Sequence, residues 1–579
     1  MCAACCPGVA ALTRGALGNL TIPAFAPATV SCDEADGMEQ AGRMVILRGG
    51  PIITLDDDNP VGEALAIRGG AIVGVGTLTE IKRHYTQGAE IVDLEGRAVL
   101  PGFVEPHVHV LESALAKAGM LVETGMLADS GRLAETGTDQ GDTRSARVPE
   151  SASAEGACHP ASVKRVSPES VEGERPPAPA AAGIAREAIG ELFEREPERV
   201  AEIGARMLRE LAMRGCTTVY DTGIGLLAGA AEHRLLHALA RAPDAPVRVR
   251  GAFVPELAAA LGATPGGGDE RYDVVGISYW ADGSIQDFAA ALGEPYLNDR
   301  GSGALTHEGE ELCAAMRRWH DAGWQLVVHA DGDRATEQVL RCYEALADSG
   351  MLAESVATER SPGGGGQVGV SRRSDVPVVA GGLERLGGPG HTGGSGRAGV
   401  EVADRMARLP HRIEHFAVVH DEQIARAAAL GISVSHTINQ IYYLGQRLRD
   451  EVLGRERAAQ VHSLRRDFDH GLLSSCHSDS PAAPVDPCLA LRTATTRLMR
   501  DSDDVLGPFQ QLKLEEALRT LTVHPAQQVL LGDRVGALRP GMLADLVVLD
   551  RDPRAVAPER LHELRVLETW LGGRRQRWG

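Results

Sequence analysis

Ala98-Val99-Leu100-Pro101-Gly102-Phe103-Val104-Glu105-Pro106-His107-Val108-His109-Val110 is the stretch on which the fold turns. Side chains on a β-strand alternate between faces, so His107 and His109 point one way and Val108 the other. Neutral imidazole is the commonest metal-binding side chain. Two of them converging at the C-terminal end of an apolar strand therefore read as half of a metal site. A surface strand with two incidental histidines has the same local pattern, and only partners elsewhere in the chain separate the two readings.

Working outward, residues 44–100 form short β-rich runs separated by turn signals such as Gly49-Gly50, Asp56-Asp57-Asp58-Asn59-Pro60 and Gly69-Gly70, the spacing of a small sandwich. After Pro101-Gly102 apolar strands alternate with helical segments, the pattern of parallel βα units. With the His-x-His strand, the candidates Thr217–Tyr220, Val247–Gly251, Val274–Tyr279, Gln325–His329, Arg412–His415, Ser433–Ser435 and Gly471–Ser475 make eight parallel strands. Helices are expected over Pro197–Arg214, Glu308–Ala322, Ala335–Asp348, Asp421–Leu430 and Leu514–Leu521. The tail, Arg534 to Asp550, returns to strands. The chain thus reads as a composite β-sandwich of residues 44–98 and 535–579, with a barrel of residues 99–534 as one excursion between them. Residues 1–43 read as a disordered extension, with Met44 an alternative start, and the low-complexity segments 124–182 and 355–400 as mobile insertions on the barrel's loop face.

A chain of 579 residues exceeds one compact core, and a 43% hydrophobic fraction supplies a barrel-sized interior. The net charge of −20, with no long basic run, argues against nucleic acid or an anionic membrane as partner. No stretch of eighteen uninterrupted apolar residues is present, and the N-terminus lacks the pattern of a secretion signal. The ten cysteines are scattered, which indicates neither a disulfide framework nor a zinc knuckle and fits a reducing, cytoplasmic setting. The partner expected is a small-molecule substrate.

Three further segments end in strand-terminal polar residues: Gln325 to His329, followed by Ala330-Asp331-Gly332-Asp333-Arg334; His411-Arg412-Ile413-Glu414-His415; and Gly471 through Ser475-Cys476-His477-Ser478-Asp479-Ser480-Pro481. The C-terminal ends of barrel strands carry the catalytic face. Four strand ends then deliver His107, His109, His329, His415 and Asp479 to one mouth. A divalent cation there brings the pKa of water from about 15.7 to about 7. Asp479 is placed to ligate it, accept the attacking water's proton and deliver that proton to a leaving nitrogen.

These pieces resemble the amidohydrolase superfamily. Within it they are similar to the amidohydrolase 3 group of N-substituted formamide deformylase-like and YtcJ-like proteins. The motifs are Pro101 to His109, Gly215-Cys216-Thr217-Thr218-Val219-Tyr220-Asp221, Ala281-Asp282-Gly283-Ser284, His329 to Ala335, Arg412-Ile413-Glu414-His415, Ser478-Asp479-Ser480-Pro481 and Gly541-Met542-Leu543-Ala544-Asp545-Leu546. The resemblance implies an α/β fold, a distorted (β/α)8 TIM barrel with a composite β-sandwich. It also implies His107 and His109 as strand 1 ligands, His329 and His415 on strands 5 and 6, and Asp479 on strand 8; the group's habit points to a homodimer.

Two positions depart from the family pattern. Glu105 replaces the usual aspartate, and Ser278 stands where many relatives place a lysine that becomes carbamylated and bridges two metals. Two bare dications about 3.5 Å apart repel by roughly 20 kcal/mol at an effective dielectric near 20, so without that bridge one ion, Zn by expectation, is favoured over two. His107, His109, His329 and Asp479 then hold it, and His415 is freed to hydrogen-bond the water or polarise the carbonyl. Asp282, Asp333 and His436 are further candidates for supporting or substrate contacts, while Glu414 reads as structural. The leading activity is hydrolysis of a non-peptide carbon–nitrogen bond, an amide or N-substituted formamide, by hydroxide generated at the metal. The alternatives are hydrolytic deamination with a single metal and a non-catalytic scaffold descended from the same fold.

Overall fold

The computed structural model describes residues 43–85, 87–120, 188–307, 309–359 and 409–578. Residues 1–42 of the proposed extension, all of 124–182 and residues 360–400 of the second insertion lie outside the described residues; 355–359 continue a helix.

Five strands open the chain: β1 (Met44–Ile53), β2 (Val61–Arg68), β3 (Ala71–Gly76), β4 (Glu90–Asp93) and β5 (Ala98–Pro101). Eight more form the barrel: β6 (Phe103–Val108), β7 (Cys216–Ile224), β8 (Arg248–Phe253), β9 (Tyr272–Trp280), β10 (Gln325–Ala330), β11 (Arg412–His415), β12 (Ser433–His436) and β13 (Ser474–Cys476). The tail adds β14 (Leu546–Leu549), β15 (Val566–Leu571) and β16 (Arg574–Arg577).

The first and last groups make one mixed sheet in the order β16-β15-β14-β5-β1-β2-β3, with β4 also paired to β1. One strand serves two partners because β1 shifts register between Arg48 and Ile52, around Gly49-Gly50: its first half runs parallel to β4 and Ile52 pairs with Val99 of β5. Alternation along β1 sends Val45 and Leu47 to one apolar cluster and Met44 and Ile46 to another, the second covered by Ile81 of the helix Leu78–Tyr85. Both ends of the chain therefore build one domain, as the flanking β-rich composition implies.

Strands β6 to β13 are parallel and adjacent in chain order, a (β/α)8 TIM barrel. Both faces of a parallel barrel strand are covered, which explains continuous runs such as Gln325 to Ala330, buried throughout. The seam between first and last strand is closed by Val108 against Ser480, with Asp479 N–H donating to His107 O at 3.2 Å and His109 N–H to Ser480 O at 3.0 Å. The segments that carry the predicted ligands are thus also those that close the barrel.

At the opposite end the helix Val523–Gln528 packs against the barrel floor: Ala526, Val529 and Leu531 meet Val104, Tyr220, Ala252, Val275 and Val327. Barrel and sheet are joined at that end by the buried pair Arg248–Asp545, with Nε to Oδ2 at 2.6 Å and Nη2 to Oδ1 at 3.1 Å. Beside them, the chain passes from β5 to β6 through Gly102, where a Cβ would lie 2.2 Å from Thr217 Oγ1.

One reading of the cysteines changes. Cys313 and Cys342 are joined in a disulfide, their Cα atoms 4.8 Å apart on the neighbouring helices Gly309–Asp321 and Asp333–Glu359. The pairing depends on packing between helices, which spacing alone does not reveal. No helix among the described residues is long and apolar enough to cross a membrane.

Candidate metal centre

The i, i+2 spacing on β6 does what alternation requires. His107 and His109 face the same point, their ring centroids 5.4 Å apart, and both aim Nε2 at one oxygen: Asp479 Oδ1 lies 3.2 Å from His107 and 3.6 Å from His109. All three residues are buried, and their ligand atoms lie within 4.8 Å of one another. His329, at the end of β10, stands 4.3 Å from the His415 ring, and His415 stands 4.9 Å from His107. His107, His109 and Asp479 thus form one group able to hold an ion, with His415 beside His107 and His329 beside His415.

Two side chains read otherwise from sequence belong to the same cluster. His477 stacks on His107 at 4.6 Å and lies 5.1 Å from His415, and a second group able to hold an ion comprises His107, His415 and His477. Its place two residues before Asp479 was the available signal. Glu414 Oε2 meets His107 Nδ1 at 2.7 Å, a contact with a proposed ligand that a structural reading did not anticipate. The alternation rule fails here because His415 and Phe416 adopt left-handed backbone, φ 70° and 47°, so successive side chains no longer take opposite faces. Asp479 is also left-handed, at φ 56°, and such strained positions persist where the surrounding structure holds them.

The charges follow from these contacts. Burial alone would lower His107, but the Asp479 and Glu414 carboxylates override it and raise its pKa above the ordinary imidazole value. Burial alone would raise Asp479, yet its hydrogen bonds to His107 and His109 hold it well below the carboxylate range. Glu414 is held down to about 2 because Arg412 and His107 outweigh its burial. Burial pushes His329 down to about 4 and His415 well below 6.5, so both are neutral. Glu105 accepts from Ser478 N–H at 3.1 Å and is raised to about 7 by burial.

Thr437 Oγ1 lies 2.9 Å from His415 Nδ1 and 2.8 Å from His477 Nε2, donating to one ring and accepting from the other. His415 Nε2 is buried and has no hydrogen-bond partner among the described residues. Imidazoles grouped around an ionised carboxylate, His329 and His415 among them neutral and the latter with an unengaged ring nitrogen, fit a divalent cation. A cleft of about 420 Å³ opens onto His329, His415 and Asp479, walled by residues that include Gln286, Asp331, Gln440, Tyr443 and Leu444.

The remaining candidates lie further out. Asp282 accepts from the backbone N–H groups of Ala291, Asp331 and Gly332 at 2.8, 3.0 and 2.9 Å, leaving Oδ1 3.5 Å from His329 Nε2. Asp333 accepts from Gly293 N–H at 2.8 Å and contacts His420 at 3.1 Å. His436 pairs with Asp467 at 2.6 Å. Ser278 is buried on β9, where its hydroxyl donates to Thr222 O.

The family model described as "Amidohydrolase family" matches residues 171–362 and 397–576, more than half of the chain. The chain belongs to the amidohydrolase family. It is 24% identical over 578 residues to an N-substituted formamide deformylase of Arthrobacter pascens, covering 90% of this chain and 96% of that protein. With YtcJ of Bacillus subtilis, an amidohydrolase by name, it shares 26% over 299 residues, 51% of this chain and 45% of the relative. An uncharacterised metal-dependent hydrolase of Pyrococcus horikoshii has the same fold, with a TM-score of 0.60 at 20% identity over 89% of this chain and 99% of that one. As an amidohydrolase the chain is a hydrolase acting on carbon–nitrogen bonds, and its family implies a divalent metal.

Proposed function

We propose that this amidohydrolase cleaves a non-peptide amide or an N-substituted formamide, using one divalent ion, Zn2+ in our reading, held by His107, His109, His329 and Asp479. The observation that carries the proposal is the convergence of His107 and His109 Nε2 on Asp479 Oδ1 beside an open cleft. Ser278 at the usual bridging position supports one ion over two. A bound cation supplies water acidified to a pKa of about 7 and a Lewis acid for the carbonyl oxygen.

The chain's own groups do the rest. Asp479 Oδ1, ionised by its histidine neighbours, takes the proton of the attacking water and returns it to the nitrogen as the C–N bond breaks, giving carboxylate and amine. Neutral His415 turns Nε2 toward the same space, where it accepts a hydrogen bond from that water. Deamination of an amine-bearing ring is the second reading, favoured by the same Ser278 and distinguished by its product.

Metal analysis of protein purified without chelator, paired with a screen of N-formyl and N-acyl amines for carboxylate and ammonia release, tests both. One equivalent of metal with carboxylate release supports the first reading. Ammonia release selects the second, two equivalents with full activity remove the single-ion assignment, and no metal uptake with no turnover under added Zn2+ or Mn2+ overturns the proposal.

A further inference from the structure

We infer that Glu414 is a positioning residue for His107, with Arg412 holding both in place from across the barrel. The inference rests on the reading that His107 binds the cation. Strands β11 and β6 are not neighbours in the sheet, yet two contacts join them. Glu414 Oε2 lies 2.7 Å from His107 Nδ1, and Arg412 Nη2 donates to the Pro106 carbonyl at 2.9 Å; within β11, Arg412 Nη2 also donates to Glu414 Oε2 at 3.0 Å, and its Nε stands in ion-pair contact with Oε1 at 2.7 Å. Ser435, from β12, adds a third hydrogen bond to Oε2 at 2.5 Å.

An ionised carboxylate only accepts, so His107 Nδ1 carries a hydrogen, and a cation displacing the proton on Nε2 would find that nitrogen's lone pair aimed at the space shared with Asp479 and His109. The ring is then fixed through Nδ1 while the backbone just before it is fixed through Pro106. Arg412 and Glu414 are 0% and 1% exposed in their side chains, and the guanidinium also lies 4.8 Å over the Tyr220 ring. Neither water nor a rotamer change relieves this clamp. A pair serving stability alone would need the Arg412–Glu414 contact; the engagement of Nδ1 and of Pro106 aims it at the ligand.

The test separates the ion pair from the acceptor. Arg412→Met with Glu414→Gln removes both charges but leaves a carboxamide oxygen for Nδ1, whereas Arg412→Met with Glu414→Leu leaves none. Zn2+ affinity is measured by competition with a chromogenic chelator, and thermal melts monitor the fold. The Leu variant is expected to bind Zn2+ about 10- to 100-fold more weakly than the Gln variant, the usual effect of losing such a partner. Equal Zn2+ affinities in the two variants overturn the inference.

Glu414→Asp, which keeps the counter-charge for Arg412 but withdraws the carboxylate by one methylene, serves if the double variants do not fold. It is expected to weaken Zn2+ binding by about tenfold, and wild-type affinity in it overturns the inference equally. Failure of the wild-type chain to take up Zn2+ removes the parent reading instead. Uptake by wild type with no difference among variants removes only this inference.

Discussion

Buried histidines sit at both ends of the barrel, and their wiring differs. Just before β11, His411 accepts the Leu326 N–H on Nδ1 at 3.0 Å and meets His320 Nδ1 through Nε2 at 2.8 Å. Both nitrogens are engaged within the protein. At the mouth, His107 gives Nδ1 to Glu414 and turns Nε2 toward Asp479, while His415 gives Nδ1 to Thr437 and keeps Nε2 without a hydrogen-bond partner among the described residues. Burial and residue type are alike at the two ends. What differs between His411 and His415 is whether the second nitrogen is engaged within the protein.

If that difference is real, damage at the mouth lowers activity and damage at the floor lowers stability. The largest effect is expected from Asp479→Asn, which removes both a ligand charge and a proton acceptor. It should lower kcat/KM by about 10⁴-fold, roughly 5 kcal/mol, with the melting temperature nearly unchanged. Asp545→Ala at the floor should do the reverse: it strands buried Arg248 and costs roughly 3–5 kcal/mol in urea melts, while folded protein keeps its turnover.

A smaller effect comes from His411, held at about 3 by its burial and then by His320. Its folded pKa lies below its unfolded value near 6.5, so the unfolded chain binds the extra proton first. Stability from this group is complete above about pH 6.5 and falls by about 1.4 kcal/mol per unit as the pH drops toward 3. Urea melts at pH 7 and 5 of wild type and His411→Phe should show that slope reduced in the variant. The smallest is Thr437→Val, which frees the His415 ring and should weaken Zn2+ binding or turnover by several-fold, about 1 kcal/mol, with Thr437→Ser restoring it. An unchanged Val variant would place His415 among the packing histidines.

Much of this was legible in the sequence. The barrel strands announced themselves as continuous apolar runs bounded by turns, and the observed Gln325–Ala330 and Arg412–His415 differ from expectation by one residue at most. The mouth could be read because its residues end such runs. Glu414 was misplaced because a period of two holds only on extended backbone, and His415 leaves it. Asp333 and His436 follow predicted strands much as the proposed ligands do; their partners, His420 and Asp467, lie on segments whose approach only the folded chain reveals. The Cys313–Cys342 bond was hidden for the same reason.

The mixed sheet constrains the order in which the molecule can be made. Leu100 pairs with Val547, and Pro101 with Leu546, so the strand leading directly into His107 keeps one open edge until residue 549 has left the ribosome. The nascent barrel must then complete its first strand while the lateral support for that strand is still unsynthesised. A pause in translation ahead of residue 546 would accordingly expose a template for pairing with other chains, and a chaperone that shields β5 during that interval would raise the yield of active enzyme.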